Sequence, residues 1–267
     1  MTSRRLSWSP MVDSTSWLEG LFDDMHDGNR RLAILIDPED MPPKPQWLDL
    51  LGRVALSDAT DVLVGGSLVT NDVTAHMVED LKKALPQPVV LFPGSPHQVV
   101  EEADALLFLS LISGRNADLL IGRHVEAAPR IARMDLETVP TGYMLIGDPP
   151  LTAAAYMSHS LPLPLDKPEL AVATAQAGVM LGLQCLYLDA GSGAGTPIPA
   201  RTIEAIRTSV DVPLVVGGGL STQDDLNRAW DAGATCCVMG TAIERHPRLL
   251  QSLKVEGQKS TARVTNP

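Results

Sequence analysis

Eight short apolar runs recur along the chain, and their spacing limits the fold. They begin near residues 32, 61, 88, 105, 138, 185, 213 and 236, so the successive steps are 29, 27, 17, 33, 47, 28 and 23 residues. Most of these steps leave room for one helix and two loops between consecutive strands. Eight such units in a chain of 267 residues predict an α/β fold, a single closed (β/α)8 TIM barrel, rather than an open doubly wound sheet.

The step of 17 residues between the third and fourth strands is too short for a complete barrel helix. We therefore predict a short or missing helix after strand three, which leaves a gap in the outer ring. Only residues 98–103 could form a helix there.

Elsewhere helical spacing predicts helices over residues 45–56, 73–85, 118–131, 169–181, 202–209, 221–233 and 243–253. Asn71 is the predicted N-cap of the second of these helices, and a capping box from Ser221 to Asp224 begins the sixth.

The chain divides by pattern into three parts. Residues 1–30 are predicted to form an N-terminal helical extension, with an amphipathic segment from Ser16 to Met25. Residues 31–255 are predicted to form the barrel and its catalytic domain, and residues 256–267 a polar tail. No apolar run is long enough for a membrane span, and the N-terminus lacks the apolar core of a secretory signal, so we expect a cytoplasmic protein.

Composition narrows the function classes further. Hydrophobic residues make up 45% of the chain and aromatic residues only 4%, which is typical of parallel strands built from Ala, Val, Leu and Ile. A net charge of −11 without a basic stripe argues against nucleic acid as a partner. Cys185, Cys236 and Cys237 lie in apolar runs without metal-ligand spacing, so we predict that they are buried and free. The six histidines form no catalytic or metal-binding pattern.

Glycine-rich turns follow the last three strands. They comprise residues 189–196 after strand six, 217–219 after strand seven, and Gly240 with Thr241 after strand eight. Small residues leave backbone N–H groups free to converge on an anion, and barrels often bind phosphate at these loops. The sequence thus predicts a phosphate site, with simple tight turns as the alternative.

Two oxygen-bearing side chains follow the first two strands. Asp37 comes directly after strand one, and Ser67 follows strand two. A carboxylate and a hydroxyl together with substrate phosphates suit Mg²⁺, which keeps most of its shell as water and phosphate oxygens. Capping of the local turn by Asp37 is the alternative.

Asp189 ends strand six beside the predicted phosphate loop. A carboxylate is unfavourable there unless it faces a hydroxyl, so we predict that Asp189 orients or deprotonates an acceptor hydroxyl. The alternative is that it caps the amides of residues 191–193. Tyr187 and Tyr143 are candidates for hydrogen bonds to a substrate, or else core tyrosines with satisfied hydroxyls.

Taken together, these motifs resemble the geranylgeranylglyceryl phosphate synthase and heptaprenylglyceryl phosphate synthase family. The resemblance runs from about residue 30 to residue 250. The matching segments are LIDPE (35–39), VGGS (64–67), LFPGS (91–95), LSLISGRN (109–116), TGY (141–143), YLDAGSGA (187–194), VGGG (216–219) and GTAIE (240–244).

The resemblance implies a prenyltransferase that joins an isoprenyl group from its diphosphate to a hydroxyl of a three-carbon phosphate, usually sn-glycerol 1-phosphate, and releases diphosphate. It implies that Asp37 and Ser67 bind Mg²⁺ and that Asp189 and Tyr187 have catalytic roles. Because dimers are common in the family, it also implies a homodimer. An apolar groove for the prenyl tail is expected at the gap after strand three. The implied acceptor-binding residues are Tyr187, Leu188, Asp189, Ala190, Gly191, Ser192, Gly193, Gly218, Gly219, Gly240 and Thr241.

Three departures from the family pattern keep other acceptors open. Asp189 stands where many members have Glu, Asp40 where a Lys is common, and Pro199 where an acid is usual. Farnesylation of 3-phosphoglycerate, as in moenomycin-type phosphoglycolipid antibiotic biosynthesis, is therefore an alternative. We favour glycerol 1-phosphate because no new basic residue is evident for the extra carboxylate.

Two further function classes remain. A phosphosugar isomerase or aldolase would use the same phosphate loops, but it would need a catalytic lysine or an acid/base pair at the strand ends, and no lysine ends a predicted strand. A protein that binds prenyl diphosphate without catalysis would not release diphosphate with any three-carbon phosphate.

Overall fold

The chain forms a closed barrel of eight parallel strands in sequence order, with the last strand paired to the first. The computed structural model describes residues 16–70 and 73–256. The predicted fold class is confirmed. The strands are β1 (Arg31–Ile36), β2 (Asp61–Val64), β3 (Val89–Leu91), β4 (Ala105–Leu111), β5 (Glu137–Leu145), β6 (Cys185–Asp189), β7 (Leu214–Gly217) and β8 (Cys236–Met239).

Helices connect most of the strands, and one precedes them. No helix in residues 16–70 or 73–256 is long and apolar enough to cross a membrane. The α-helices are α1 (Trp17–Asp27), α2 (Lys44–Ala55), α3 (Thr74–Ala84), α4 (Arg123–Ile131), α5 (Ala153–Ser158), α6 (Pro168–Met180), α7 (Ala200–Arg207), α8 (Gln223–Asp231) and α9 (Thr241–Arg245).

The predicted gap in the outer ring lies after β3. Between β3 and β4 the described chain contains a single 3-10 turn, Pro96–Gln98, and no α-helix. The backbone leaves this turn in an extended conformation at Val99, so of the expected helical material over residues 98–103 only Gln98 belongs to a helical turn. Where a full helix is absent, residues of β4 line a groove.

Several predicted boundaries need correction. The capping box of α8 lies one residue later than predicted, between Thr222 and Asp225, because Ser221 instead donates hydrogen bonds to the Asp225 carboxylate. The predicted last helix, residues 243–253, is instead the short α9 followed by a 3-10 turn, Pro247–Gln251. Pro247, the first residue of this turn, interrupts the α-helical pattern.

Two other helix predictions also change. The predicted helix over 118–131 begins with a π-helical turn, Asp118–Gly122, and the short α5 was not predicted. The proposed N-cap Asn71, residues 1–15 of the extension and residues 257–267 of the tail lie outside the described residues.

Side chains alternate along each strand between the barrel interior and the helix-covered exterior. On β6, Cys185 and Tyr187 face inward, while Leu186 and Leu188 pack against the outer layer. The next inward position is that of Asp189, which places this carboxylate at the upper end of the interior. All three cysteines are buried and free, as predicted.

Helix α1 closes the opposite end of the barrel, at the amino ends of the strands. Trp17, Leu18 and Leu21 are buried against the interior cluster. Glu137, the first residue of β5, accepts hydrogen bonds from Ser16 Oγ at 2.6 Å and from the backbone N–H groups of Trp17 at 2.7 Å and Leu18 at 3.0 Å. One carboxylate therefore both caps the first turn of α1 and fastens the helix to the barrel.

We predict that Glu137→Ala lowers the free energy of unfolding by about 2–3 kcal/mol, because N–H and O–H donors lose a charged acceptor. Glu79→Ala is the matched control, since Glu79 is exposed and forms only a surface ion pair with Lys83, worth at most about 1 kcal/mol. Urea unfolding at neutral pH measures both values. Equal, small losses would contradict the docking role of Glu137.

Candidate active site

The polar residues singled out in the sequence meet at the carboxyl end of the barrel. Asp37 follows β1, Ser67 follows β2, Asp189 ends β6, and the glycine-rich turns follow β6, β7 and β8. Because every strand runs in the same direction, these positions share one rim. Closure of the barrel thus brings together segments that lie more than 200 residues apart in sequence.

Asp189 is almost completely buried at this rim, with 7% of its surface exposed. Tyr143 donates a hydrogen bond from its hydroxyl to Asp189 Oδ2 at 2.5 Å, and the Gly191 N–H donates to Oδ1 at 2.7 Å. Burial raises the pKa of Asp189, and these two hydrogen bonds act in the opposite direction. Asp189 therefore caps the glycine turn, as the alternative proposed, and is also a buried carboxylate with an elevated proton affinity.

The two candidate tyrosines occupy different environments. Tyr187 is 1% exposed and stacks on Phe92, with ring centroids 4.6 Å apart and an interplanar angle of 10°. A Cβ at Gly217 would lie 2.6 Å from the Tyr187 hydroxyl, so the missing side chain makes room for this ring. Tyr143 is half-buried and lines a cavity. Tyr187 is thus a core tyrosine, whereas Tyr143 both lines the cavity and donates a hydrogen bond to Asp189.

The glycine-rich turns after β6 and β7 pack so closely at Gly191, Gly218 and Gly219 that side chains would not fit there. Gly191, Gly193, Gly218 and Gly219 all have positive φ, between 71° and 94°. A Cβ at Gly218 would lie 2.5 Å from the Gly191 nitrogen. The predicted small-residue loops are therefore adjacent in space, with backbone conformations that favour glycine.

The loop after β8 joins the same group. Ser192 Oγ, in the β6 loop, lies 3.1 Å from Thr241 Oγ1 at the start of α9. Residues 189–199, 217–222 and 240–244 contain neither lysine nor arginine. An anion in this part of the rim would therefore be bound by backbone N–H groups and hydroxyls rather than by cationic side chains.

Asp37 and Ser67 lie on the other side of the rim. Asp37 Oδ1 accepts a hydrogen bond from the Glu39 N–H at 2.9 Å, so the carboxylate caps a 3-10 turn, as the alternative proposed. It also lies against Gly66, where an added Cβ would overlap both of its oxygens. Burial, and then the charges of Asp40 and Glu39, raise the pKa of Asp37. A cation at this position would relieve that repulsion.

A site with these two oxygen donors suits Mg²⁺ better than it suits a metal ion whose ligands all come from the protein. Within residues 16–70 and 73–256, no group of three or more His, Cys, Asp or Glu side chains is placed to hold an ion. Mg²⁺ is commonly held by one or two protein oxygens, with water and substrate phosphates completing its octahedron. Asp37 and Ser67 can provide two such oxygens, since the Asp37 carboxylate lies against Gly66, the residue before Ser67.

A cavity of about 490 Å³ begins at Gly66 and Ser67 and runs through the gap in the outer ring. It passes Phe92 and Tyr143, continues between the Pro96–Gln98 turn and α4, and ends beside Ala127 and Ile131. Its size falls within the usual range for ligand sites, about 300–1,000 Å³. The thinned ring thus forms a groove that leads directly from the rim.

Sequence reasoning missed three residues that line this groove, namely Phe92, Phe108 and His124. The segment 91–95 belongs to the family resemblance, but its residue types alone indicate no role. Alternation from the inward-facing Val90 places Phe92 on the interior face, and this signal was present in the sequence.

The closed parallel barrel, with its polar site at the carboxyl ends of the strands, defines a (β/α)8 enzyme architecture. Comparison with known proteins then identifies the family. Residues 28–256 match the PcrB family, and the chain belongs to it.

Relatives named geranylgeranylglyceryl phosphate synthase cover most of the chain. The protein of Spirosoma linguale is 46% identical over 226 residues, which span 85% of this chain and 90% of that protein. The protein of Thermococcus gammatolerans is 37% identical over 217 residues, or 79% and 83% of the two chains. The predicted family is confirmed, and with it the prediction that the chain is an enzyme of the prenyltransferase class.

A solved structure supports the same assignment. The (S)-3-O-geranylgeranylglyceryl phosphate synthase of Thermoplasma acidophilum, in complex with the substrate sn-glycerol-1-phosphate, superimposes with a TM-score of 0.83 at 25% identity. The match covers 89% of this chain and 95% of that structure.

We predict that Gly218→Ala destabilises the protein by about 2–5 kcal/mol, because the new methyl group combines left-handed strain with overlap against Gly191. Gly193→Ala is the matched control: its φ is also positive, but nothing lies within 4 Å of an added Cβ. Its expected loss is about 1–2 kcal/mol. Urea unfolding compares the two variants, and equal losses would contradict close packing of the β6 and β7 loops.

Proposed function

We propose that the protein catalyses Mg²⁺-dependent transfer of an isoprenyl group from its diphosphate to the hydroxyl of sn-glycerol 1-phosphate, forming an ether and releasing diphosphate. One observation carries this proposal: the apolar groove begins at Gly66 and Ser67 and passes Tyr143, whose hydroxyl donates a hydrogen bond to the buried carboxylate of Asp189. The groove and the rim at Asp37 and Ser67 suit a donor with a long apolar tail and an anionic head. The rim beside Asp189 suits a small phosphate ester. The names of the relatives agree with both substrates.

At the donor side, Asp37 and Ser67 would hold Mg²⁺, which when bound neutralises the charge of the leaving diphosphate. The prenyl tail would lie in the groove, where Phe108 and the aliphatic side chains of β4 and α4 exclude water from it. Because the groove starts beside Ser67, binding of the tail would fix the reactive carbon near the metal ligands.

At the acceptor side, the phosphate would be bound by N–H groups of the loops at Gly218, Gly219, Gly240 and Thr241. The hydroxyl end would then face Asp189, which lies beside these loops. As the donor C1–O bond breaks and its electron pair leaves with diphosphate, the acceptor oxygen forms the new bond to C1, and Asp189 accepts the hydroxyl proton. Burial raises the pKa of Asp189, and a raised pKa favours this proton transfer.

The charge of the rim favours glycerol 1-phosphate over 3-phosphoglycerate. The extra carboxylate of 3-phosphoglycerate would lie near buried Asp189, and the loops after β6, β7 and β8 contain no lysine or arginine to offset the repulsion. Farnesylation of 3-phosphoglycerate is therefore the second candidate. An isomerase or aldolase is disfavoured because the loops with Asp37, Ser67 and Asp189 contain no lysine.

The test is incubation of the protein with Mg²⁺, allylic diphosphates of several chain lengths and either acceptor, with products identified by mass. We expect an ether of glycerol 1-phosphate and release of one diphosphate per product. An ether from 3-phosphoglycerate alone would overturn the acceptor assignment. Absence of an ether with both acceptors would overturn the transferase proposal, and binding of the donor without release of diphosphate would indicate a carrier.

We also propose that the protein is cytoplasmic and forms a homodimer.

Two isosteric variants separate the two sides of the site. We expect Asp37→Asn to lose most activity and to require more Mg²⁺, because an amide is a weaker ligand than a carboxylate. We expect Asp189→Asn to lower kcat/KM for the acceptor by about 100-fold or more, with the Mg²⁺ dependence unchanged. Steady-state kinetics with titrated Mg²⁺ distinguishes them, and unchanged kinetics in both variants would show that the site lies elsewhere.

The acid limb of the pH profile tests Asp189 as the proton acceptor. Activity requires its ionised form, so activity should fall as pH drops through a pKa that burial raises above the ordinary aspartate value. Tyr143→Phe removes a hydrogen bond that favours the ionised carboxylate, which raises this pKa further. We therefore expect the acid limb of kcat/KM in Tyr143→Phe to move to higher pH; a limb at the same pH would argue against Asp189.

A further inference from the structure

We propose that Phe92 is a catalytic residue whose ring face stabilises the allylic cation that develops at C1 of the donor. This inference rests on the proposed function. It gives a role to the segment 91–95, which neither the metal pair nor the phosphate loops explain.

Phe92 belongs to a compact aromatic cluster at the top of the barrel interior. Its ring stacks on Tyr187 at 4.6 Å, and Tyr143 meets both rings edge-on at centroid distances of 5.7 Å. The chain has only three phenylalanines and three tyrosines, and half of these six residues lie in this cluster. Apart from Trp17 and Phe22 of α1 at the opposite end of the barrel, the rest of this interior cluster consists of aliphatic residues and cysteines.

The cluster lies between the two halves of the site. Phe92 and Tyr143 line the groove together with Gly66 and Ser67, at the end where the donor diphosphate would be held. Tyr143 also donates its hydroxyl hydrogen to Asp189. A reactive carbon bound between Ser67 and Asp189 therefore lies beside Phe92, whose ring is only half-buried.

The chemistry at this point requires a stabiliser of positive charge that does not attack carbon. When the C1–O bond breaks, its electron pair goes to diphosphate, and the allylic group carries positive charge until the acceptor oxygen bonds to C1. The face of an aromatic ring attracts a cation through its quadrupole and has no lone pair to form a bond. Tyr187, stacked behind Phe92 and almost fully buried, acts as a positioning residue that holds the ring in place.

The first test replaces Phe92 by leucine, which keeps an apolar side chain but removes the ring. We expect kcat to fall by about 10- to 30-fold, with little change in KM for the prenyl diphosphate. Phe22→Leu is the matched control: Phe22 lies on α1, at the amino ends of the strands, and does not line the groove. There we expect kcat and KM to be unchanged.

The second test keeps the shape of the ring and changes only its electrons. Mono-, di- and trifluorophenylalanine at position 92 withdraw charge from the ring face, so log kcat should decrease stepwise with fluorination; the same series at position 22 should be flat. A flat series at position 92 in an active enzyme would overturn the role of Phe92 alone. If the wild-type enzyme releases no diphosphate with either acceptor, the proposed function itself fails, and the two failures are thus distinguishable.

Discussion

The site depends on the burial of one carboxylate. Asp189 occupies an inward position at the end of β6, where water is largely excluded, and it stays there because Tyr143 and Gly191 each donate a hydrogen bond to it. A buried carboxylate is costly without such partners. The partners come from β5 and from the turn after β6, so the pairing of β5 with β6 and the left-handed backbone of Gly191 together hold Asp189.

The same constraint explains the packing around it. Gly218 must lack a side chain because its backbone lies against Asp189 Oδ1 and the Gly191 nitrogen. Gly217 must be small because the Tyr187 ring occupies the space where its Cβ would project. The glycines of these turns therefore do more than free N–H groups for an anion: they allow two loops and two tyrosines to converge on one carboxylate.

Much of this arrangement was predictable because it follows from spacing and alternation. The short interval after strand three predicted the gap, and the position of Asp189 after an apolar run predicted its place on the rim. Boundaries set by single side-chain interactions were less accurate: Pro247 divides the last helix, and Ser221 binds Asp225 instead of capping α8 itself. The hydrogen bond between Tyr143 and Asp189 depends on the register of β5 against β6, which places Tyr143 opposite Tyr187 and Leu145 opposite Asp189, and the sequence alone does not specify this register.

The most direct test of the account is a crystal structure of the protein with sn-glycerol 1-phosphate. We expect the phosphate on the N–H groups of the β7 and β8 loops, at Gly219 and Thr241, and the acceptor hydroxyl within hydrogen-bonding distance of Asp189. Electron density that placed the phosphate beside Asp37 and Ser67, or the hydroxyl away from Asp189, would contradict it.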